Sequence, residues 1–386
     1  MRLLPLIVAR FPDSSGPRGR LPPAVKRFAT GLLFLTLAAT LPAAAGRAPA
    51  TVERLYARGV YPAISAALSC ASGVVPVSVA EVCLLVAAFL LVRRLLRMYH
   101  TGRATAWRAA LGLCLADLAL VAGGLALAFV LLWGFNYRRL PFATSAGLDA
   151  SPASFDELRD LASALAGRAN ELRAKSAEDQ QGVMVTKGGA PGVLARTSAG
   201  FDEAATHYPA LGGGCIHPKP LLFSGALSWL GLTGIYSPFT GEANVNVRAP
   251  ESELPFSASH ETAHQRGFAR EDEANFAAYL ACRYHPDPDF NYSGALAASV
   301  HASNALFKAD REAWRAVEAT RSPAVNRDLG ALHAWAARHE GAGSRASERV
   351  NDTYLRAQGQ VEGVRSYGRM VDLLLAERRA EAHGRK

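Results

Sequence analysis

The sequence predicts a mainly helical protein in which a membrane region precedes a soluble domain. Three observations lead to this prediction. Apolar residues crowd into the first 135 positions of the 386-residue chain, basic residues flank these apolar segments, and helical periodicity runs from Ser257 to the end of the sequence. The chain is long enough for a membrane region and one sizeable soluble domain.

The net charge of +9 is concentrated beside the apolar segments. Residues 1–28 carry six basic side chains and one acidic side chain, and residues 93–108 carry five arginines and no acid. Positive charge next to apolar helices orients a membrane protein, whereas a nucleic-acid-binding protein collects it on a folded face. We therefore expect the lipid bilayer as a partner and no nucleic acid.

Three apolar segments predict three transmembrane helices within a membrane region of residues 29–135. The segments lie at roughly 29–46, 77–92 and 109–133, after a basic cytoplasmic segment of residues 1–28. The first segment ends in Ala43-Ala44-Ala45-Gly46, so a cleaved signal peptide is an alternative to an uncleaved anchor. Asp117 interrupts the third segment, either as a polar contact between helices or as a group that reaches the lipid headgroups.

The arginine-rich loop at 93–108 is expected to stay in the cytoplasm, which places everything after Trp133 outside it. We therefore predict a multi-pass protein of the cell membrane with residues 136–386 as an extracytoplasmic domain. In that compartment Cys215 and Cys282 could form a disulfide, or they could remain two buried thiols.

The soluble domain is predicted to begin with an amphipathic helix over residues 154–175, which Ser154 and Glu157 open with a capping-box pattern. Residues 186–250 are rich in Gly, Pro and Thr, so we expect loops there and at most a small sheet. From Ser257 onward the pattern is helical, with breaks near 267, 286–288, 322–323 and 341–344.

The most informative stretch of the sequence is His260-Glu261-Thr262-Ala263-His264. Residues four apart on a helix lie on one face, one turn apart, so the two imidazoles can bind one Zn²⁺ at about 2.0–2.1 Å. Glu261 follows the first histidine and is placed to take a proton from a water that attacks a carbonyl. Zn²⁺ is therefore the predicted cofactor and Glu261 the predicted catalytic residue.

The third metal ligand is expected just after this motif. Gly267 is placed to end the helix, and a second helix then opens with Glu271, Asp272 and Glu273. An acid beside the histidine pair suits a catalytic site, because a structural zinc site usually offers Cys or a fourth protein ligand. Glu271 is preferred and Glu273 is the alternative, since Asn275 shares a face with Glu271 and can support the site. The same acids would favour a helix N-terminus without any metal.

The segment from Glu271 to Asn275 resembles the Glu-x-x-Ala-Asp pattern of membrane-embedded zinc endopeptidases of the HtpX and CAAX-processing type. In those proteins the first Glu is the third zinc ligand and the Asp supports the site. The resemblance implies the same roles for Glu271 and Asn275. This chain has Asn275 where those proteins have Asp, and its separation from the histidine pair is far shorter.

Nearly the whole chain resembles a bacterial membrane family catalogued as domain of unknown function 3810. The resemblance is carried by short segments along the sequence: 61–65, 133–139, 234–246, 260–279, 350–355 and 368–374. It implies three membrane helices and a gluzincin-like site, but no substrate. We accordingly expect a mostly helical, zincin-like domain of the gluzincin type with a minor β element.

Four further residues are candidates for contacting a substrate or an oxyanion. Glu242 and Asn244 alternate just before the metal helix, where many zinc peptidases have an edge strand that aligns the substrate backbone. Tyr354 and Tyr367 lie on late helical patterns and could stabilise an oxyanion. A structural strand and packing tyrosines would explain the same residues without a substrate.

The sequence thus predicts a membrane-anchored zinc metalloendopeptidase that hydrolyses peptide bonds in an unknown peptide or protein substrate. The alternative is a catalytically inert zinc-binding structural or interaction protein of the cell envelope. A transporter is disfavoured, because transporters usually show more spans and internal repeats.

Overall fold

The computed structural model describes residues 22–101, 107–213, 217–360 and 369–384. Helices dominate these residues, and a small three-stranded sheet accompanies them, so the predicted mainly helical class with a minor β element is confirmed. The chain divides into two compact units, which are described separately. Unit 1 comprises Met1–Ala39 with Leu96–Leu127, and unit 2 comprises Thr40–Leu95 with Ala128–Lys386.

The α-helices are numbered in chain order: α1 (Pro23–Ala45), α2 (Pro49–Thr51), α3 (Tyr61–Gly73), α4 (Val79–Thr101), α5 (Trp107–Leu132), α6 (Phe142–Ala146), α7 (Phe155–Arg173), α8 (Gly189–His207), α9 (Ser224–Trp229), α10 (Leu254–Gln265), α11 (Glu271–Tyr284), α12 (Pro288–Ala309), α13 (Arg311–Glu318), α14 (Pro323–His339), α15 (Ala342–Ala357) and α16 (Met370–Ala382). A π-helix covers Val52–Val60, and short 3₁₀ helices cover Gly134–Arg138 and Pro209–Leu211. The strands are β1 (Lys219–Pro220), β2 (Gly234–Ser237) and β3 (Glu242–Val245).

Two helices in the described part of the chain are long and apolar enough to cross a membrane, where the sequence predicted three. They are Pro23–Ala45 and Gly112–Leu132. The predicted span at 77–92 does form a helix, α4, but Glu81 and Arg93 leave only eleven apolar residues between them. Such a stretch is about 17 Å long, roughly half of the hydrocarbon thickness that a span must cross.

Within unit 1, α1 and α5 pack closely through glycines. A Cβ atom added at Gly31 would lie 2.4 Å from the carbonyl carbon of Ala119, and one added at Gly123 would lie 2.4 Å from the Gly31 oxygen. Small residues at such a crossing allow apolar helices to approach each other. Asp117 accepts a hydrogen bond from Arg27 on α1 at 2.9 Å, so it forms the polar contact between helices that the sequence left as one of two alternatives.

The first helix of the predicted soluble region, α7, matches its sequence signature. The Glu157 N–H donates to the Ser154 hydroxyl at 3.2 Å, and the Ser154 N–H donates to the Glu157 carboxylate at 2.8 Å. This reciprocal pair is the predicted capping box. The helical elements after residue 257 are confirmed as well, with helix ends at the predicted breaks.

The expectation of loops over 186–250 is wrong for α8. This helix begins after Gly188, which has a φ of +75°, and it buries a face that includes Val193 and Phe201 against α11. Gly200 packs directly on the backbone of Ala281, where a Cβ would lie 2.2 Å from the carbonyl oxygen. Tertiary packing therefore stabilises a helix whose Gly- and Pro-rich sequence has weak helical propensity.

The predicted small sheet is present and lies against α10. Its strand order is β1-β3-β2, with β1 parallel and β2 antiparallel to β3. The strand β2 therefore forms one edge of this sheet. The main core of unit 2 lies where α10, α11, α12, α7 and α8 pack together.

The α1–α5 crossing can be tested with two neighbouring glycines. Gly123→Ala should destabilise the protein by about 1–3 kcal/mol, because the added methyl group overlaps the Gly31 carbonyl. Gly124→Ala is the matched control, since nothing lies within 4 Å of a Cβ at that position. Thermal unfolding of the two variants in the same detergent measures the difference. Equal midpoints would contradict the crossing.

Candidate metal centre

The motif from His260 to His264 lies on α10, which is buried along almost its whole length. The imidazole rings of His260 and His264 lie one turn apart with centroids separated by 4.6 Å. The Nδ1 atom of His264 is 2.8 Å from the Phe268 carbonyl oxygen. A hydrogen bond donated there fixes the tautomer and leaves Nε2 with a lone pair for a metal.

A tight turn after α10 brings the next helix back to the histidine pair. The Gly267 N–H donates to the His264 carbonyl at 2.9 Å and the Phe268 N–H donates to the Ala263 carbonyl at 3.1 Å. Gly267 has a φ of +90°, a conformation that strongly favours glycine at the end of a helix. The chain reverses, and α11 starts at Glu271.

Glu271 is the acid that the fold places between the two imidazoles. Its Oε2 atom lies 3.4 Å from the Nε2 atom of His260 and 3.6 Å from that of His264. The ligand atoms of the three residues all lie within 4.8 Å of one another. Two ligands bound to zinc at about 2.0–2.1 Å in a tetrahedral site lie roughly 3.4 Å apart, so the spacing fits a zinc ion.

Several buried polar atoms of this cluster have no hydrogen-bond partner among the described residues. They are Nδ1 of His260, Oε2 of Glu261 and Oε2 of Glu271. Buried polar groups normally have partners, so unpaired ones point to a ligand or to a function. The donor set of two imidazoles and a carboxylate is one that Zn²⁺ binds in catalytic sites.

Electrostatics keeps the Glu271 carboxylate ionised. Burial raises its pKa, but the neighbouring imidazoles of His264 and His260 outweigh that effect and hold the pKa well below its usual range. Burial lowers the pKa of His264, and Glu271 more than compensates, raising it to about 9. The buried cluster thus attracts positive charge, which a divalent cation can supply.

The predicted general base, Glu261, lies at the edge of the sheet. Its side chain packs so closely on β2 that a Cβ at Gly234 would lie 2.5 Å from its Oε1 atom. Burial raises the pKa of Glu261, while His260, His264 and the backbone N–H of Tyr236 act in the opposite direction. A carboxylate with a raised pKa in a buried site is suited to accept a proton.

The other acid candidate on α11, Glu273, is bound elsewhere. Its carboxylate accepts hydrogen bonds from the Phe142 N–H and from the Arg270 guanidinium, each at 2.8 Å. Asn275 is buried and lines the same cleft as His260 and Glu261. The structure therefore brings Glu271 and Asn275 to the histidine side of the helix and Glu273 to another side.

The four proposed substrate contacts have different surroundings. Glu242 forms an ion pair with Lys219 at 2.7 Å and accepts bonds from the first backbone N–H groups of α4. Asn244 is buried in β3, the central strand, and donates to the Glu242 carbonyl at 3.2 Å. Glu242 therefore holds the sheet to the start of α4, whereas the bond of Asn244 stays within β3. Tyr367 and Cys215 lie outside the described residues.

Tyr354 lies beside the metal cluster. Its hydroxyl accepts a hydrogen bond from the Tyr137 hydroxyl at 3.0 Å. Burial raises the pKa of Tyr354, and the negative charge of Glu271 raises it further. The phenol is therefore protonated and close enough to Glu271 to feel its charge.

A cleft of about 640 Å³ opens onto the cluster. It is lined by three groups of residues: the loop before β2 (Leu230 to Gly234), the metal helix with His260 and Glu261, and the start of α15. His301 on α12 lines it too, and burial together with His260 lowers its pKa to about 4. Sequence reasoning missed His301, because no spacing relates a lone histidine on α12 to the motif.

The C-terminal end of α10 is held by side chains from distant segments. Its last carbonyl groups and that of the following turn accept hydrogen bonds from four side chains. The Gln265 carbonyl accepts from the Tyr61 and Ser65 hydroxyls, each at 2.8 Å. The His264 carbonyl accepts from the Trp133 indole at 3.2 Å, and the Gly267 carbonyl accepts from the Arg139 guanidinium at 3.2 Å. The Trp133 ring also packs edge-on against the His264 ring, with centroids 5.9 Å apart. The sequence contains no signal that links these positions to the motif.

Fold and site together define a mainly helical protein with two potential membrane-spanning helices and a buried His-His-Glu cluster. A family of proteins of unknown function, DUF3810, matches residues 56–375, and the chain belongs to that family. No curated protein and no solved structure matches the chain. The segments that carry the sequence resemblance, among them those at 61–65, 133–139 and 234–246, meet around α10.

The assignment of the metal ligands predicts a clear contrast between two acids. Glu271→Gln should weaken zinc binding by more than the roughly 10–100-fold typical of losing a supporting residue, because it removes a direct ligand. Glu273→Gln is the matched control, since its carboxylate contacts Phe142 and Arg270 instead. Zinc content after dialysis against a chelator, measured by mass spectrometry, distinguishes them. His264→Ala should also release zinc, and its retention by that variant would refute the site.

Proposed function

We propose that this protein is a membrane-anchored zinc metallopeptidase that hydrolyses peptide bonds. The observation that carries the proposal is the cluster of His260, His264 and Glu271, with an open cleft in front. Glu261 lies beside the cluster, and its Oε2 atom has no hydrogen-bond partner among the described residues. This is the donor set of a catalytic zinc site with one open position. A structural zinc site would have no need for Glu261 or for the cleft.

In the proposed reaction each residue of the site has its own role. Zinc, when bound by the two histidines and Glu271, supplies Lewis-acid polarisation of a carbonyl and makes a water acidic. Glu261 would accept a proton from the water that attacks the peptide carbonyl and would return it to the departing amine. Tyr354 accepts its hydrogen bond from Tyr137, which leaves its own hydroxyl hydrogen to donate to a substrate oxygen.

The edge strand supports a peptide substrate. Strand β2 pairs with β3 on one side only, and its first residue, Gly234, lines the cleft next to Glu261. An extended peptide can add to such an edge through backbone hydrogen bonds, which place a peptide bond near the metal cluster. The small Gly234 leaves room for Glu261 at that point.

The role of Glu261 can be separated from metal binding. Glu261→Gln keeps the size of the side chain and removes the proton acceptor, so zinc content should be unchanged while turnover falls by roughly 10²–10⁴-fold. Zinc content and cleavage of a generic peptide library are measured on the same preparation. Glu203→Gln, at an exposed position on α8, is the control and should keep both.

Other outcomes identify other roles. Loss of zinc in Glu261→Gln would make Glu261 a ligand, and full cleavage would remove it from the mechanism. A zinc-loaded wild-type protein that cleaves nothing in the library would favour the alternative, an inert zinc-binding protein of the cell envelope.

We further propose that the metal centre lies outside the cytoplasm. The arginines of residues 93–108 precede the span Gly112–Leu132 and favour a cytoplasmic position for its N-terminal end, which leaves its C-terminal end at Leu132 outside. Since α3 contacts α10, this orientation also requires α4 to cross the membrane, as a short apolar stretch that the bilayer accommodates by thinning. A phosphatase reporter that needs export should therefore be active when fused after Lys386 and inactive when fused after Arg97. The reverse pattern would show that the orientation is wrong.

A further inference from the structure

The metal centre is attached directly to the end of a potential membrane span. Trp133 follows Leu132, the last residue of α5, and it both donates to the His264 carbonyl and packs on the His264 ring. The Tyr56 hydroxyl donates to the Leu131 carbonyl in the last turn of α5, at 2.9 Å. Aromatic residues with polar tips are typical of the level at which a span leaves the bilayer.

A second observation is an exposed apolar surface at the start of α4, which we name the collar. It consists of Val74, Val75, Val77, Leu222 and Phe223. Val74 is 83% exposed, Leu222 54% and Phe223 48%. Contiguous exposed apolar side chains on a folded protein mark a contact surface.

The collar is held in place by buried polar contacts. The two carboxylate oxygens of Glu81 accept hydrogen bonds from the N–H groups of Leu222 and Phe223, at 2.7 and 2.9 Å. The Lys219 ammonium donates to the carbonyls of Ser72 and Val77, at 2.6 and 3.1 Å. Because these hydrogen bonds fix the collar, it is a defined surface that a partner can contact and not a loose loop.

The apolar surface continues from the collar along α4. Every residue from Val82 to Val92 is apolar and exposed, including Leu84 at 70% and Phe89 at 64%. A protein partner buries one stripe of an amphipathic helix, whereas lipid surrounds a helix on all sides. Apolar exposure on every face therefore identifies lipid as the occupant.

The collar and the cleft are separated by one short helix. Helix α9, six residues long, joins Phe223 to the cleft lip at Leu230, a distance of about 10 Å along a helix axis. Trp229 and Leu230 are themselves 57% and 41% exposed. A surface embedded in lipid at the collar holds the cleft lip close to the headgroups.

We propose that the collar lies in the bilayer surface and that the cleft takes peptide segments located at the membrane–water interface. The substrate class is thus the juxtamembrane stretch of a membrane-anchored or lipid-anchored chain. Such a substrate shares the two-dimensional surface with the enzyme, which raises its effective concentration at the cleft. This inference rests on the proposed peptidase function for its substrate, while the lipid contact of the collar stands on its own.

The lipid contact is tested by photo-crosslinking of the full chain in liposomes. The photoreactive p-benzoylphenylalanine is introduced in place of Phe223 or, as the matched control, in place of Phe155. Phe155 is 44% exposed at the start of α7, similar to Phe223. Lipid adducts at position 223 should exceed those at 155 by about tenfold or more, as expected for an interfacial side chain. Equal yields, or an adduct to a second copy of the chain, would overturn the lipid assignment.

The substrate class is tested with one peptide sequence in two forms, free and carrying a palmitoyl chain, in the same liposomes. The zinc-loaded protein should cleave the anchored form about tenfold faster or more. The double variant Leu222→Ser, Phe223→Ser should reduce that preference, and Phe155→Ser should not. Equal cleavage of both forms refutes the substrate class alone. Cleavage of neither form refutes the peptidase proposal and the substrate class with it, and crosslinking still decides the collar.

Discussion

The structure depends on how the carbonyl groups at the buried C-terminal end of α10 obtain hydrogen-bond donors. The last carbonyl groups of a helix have no partner within it, and a buried carbonyl without a partner costs about 1–3 kcal/mol. In α10 these carbonyls receive donors from the π-helix–α3 region and from the segment after α5. The following turn supplies donors for the Ala263 and His264 carbonyls, but the Gln265 carbonyl receives its donors from Tyr61 and Ser65, so this end of α10 is satisfied only when α3 has packed against it.

This constraint also sets the geometry of the metal cluster. Trp133 contacts both the carbonyl and the ring of His264, and the Phe268 carbonyl binds its Nδ1 atom. Arg139 holds the turn that brings Glu271 back, and it is itself paired with the buried Glu53 at 2.8 Å. The three side chains are thus fixed by the surrounding contacts, which would leave little conformational entropy to lose on binding the proposed metal.

Two imidazoles and two carboxylates lie close together and mostly buried in this cluster. Without a metal, the imidazoles stabilise the ionised Glu271 carboxylate, and the pKa of His264 is raised in turn. A divalent ion bound there would replace the His264 proton as the positive partner of Glu271.

The sequence alone determined the features that follow from local periodicity. The spacing of His260 and His264, the capping box at Ser154 and the helix stop at Gly267 depend on neighbours within one or two turns, and the structure contains all three. Packing decided the rest. Helix α8 forms from a Gly- and Pro-rich segment because its apolar face is buried.

The choice between the two candidate acids for the third ligand position also shows what the sequence determined and what packing decided. Glu271 and Glu273 are two residues apart, about 200° around a helix, so they point to nearly opposite sides. The sequence determined that an acid follows the turn, but only the packing of α11 against α10 decided that Glu271 faces the histidines. His301, Trp133 and Tyr354 reach the site from segments far away in the sequence, and no local pattern records contacts that exist only after the chain has folded.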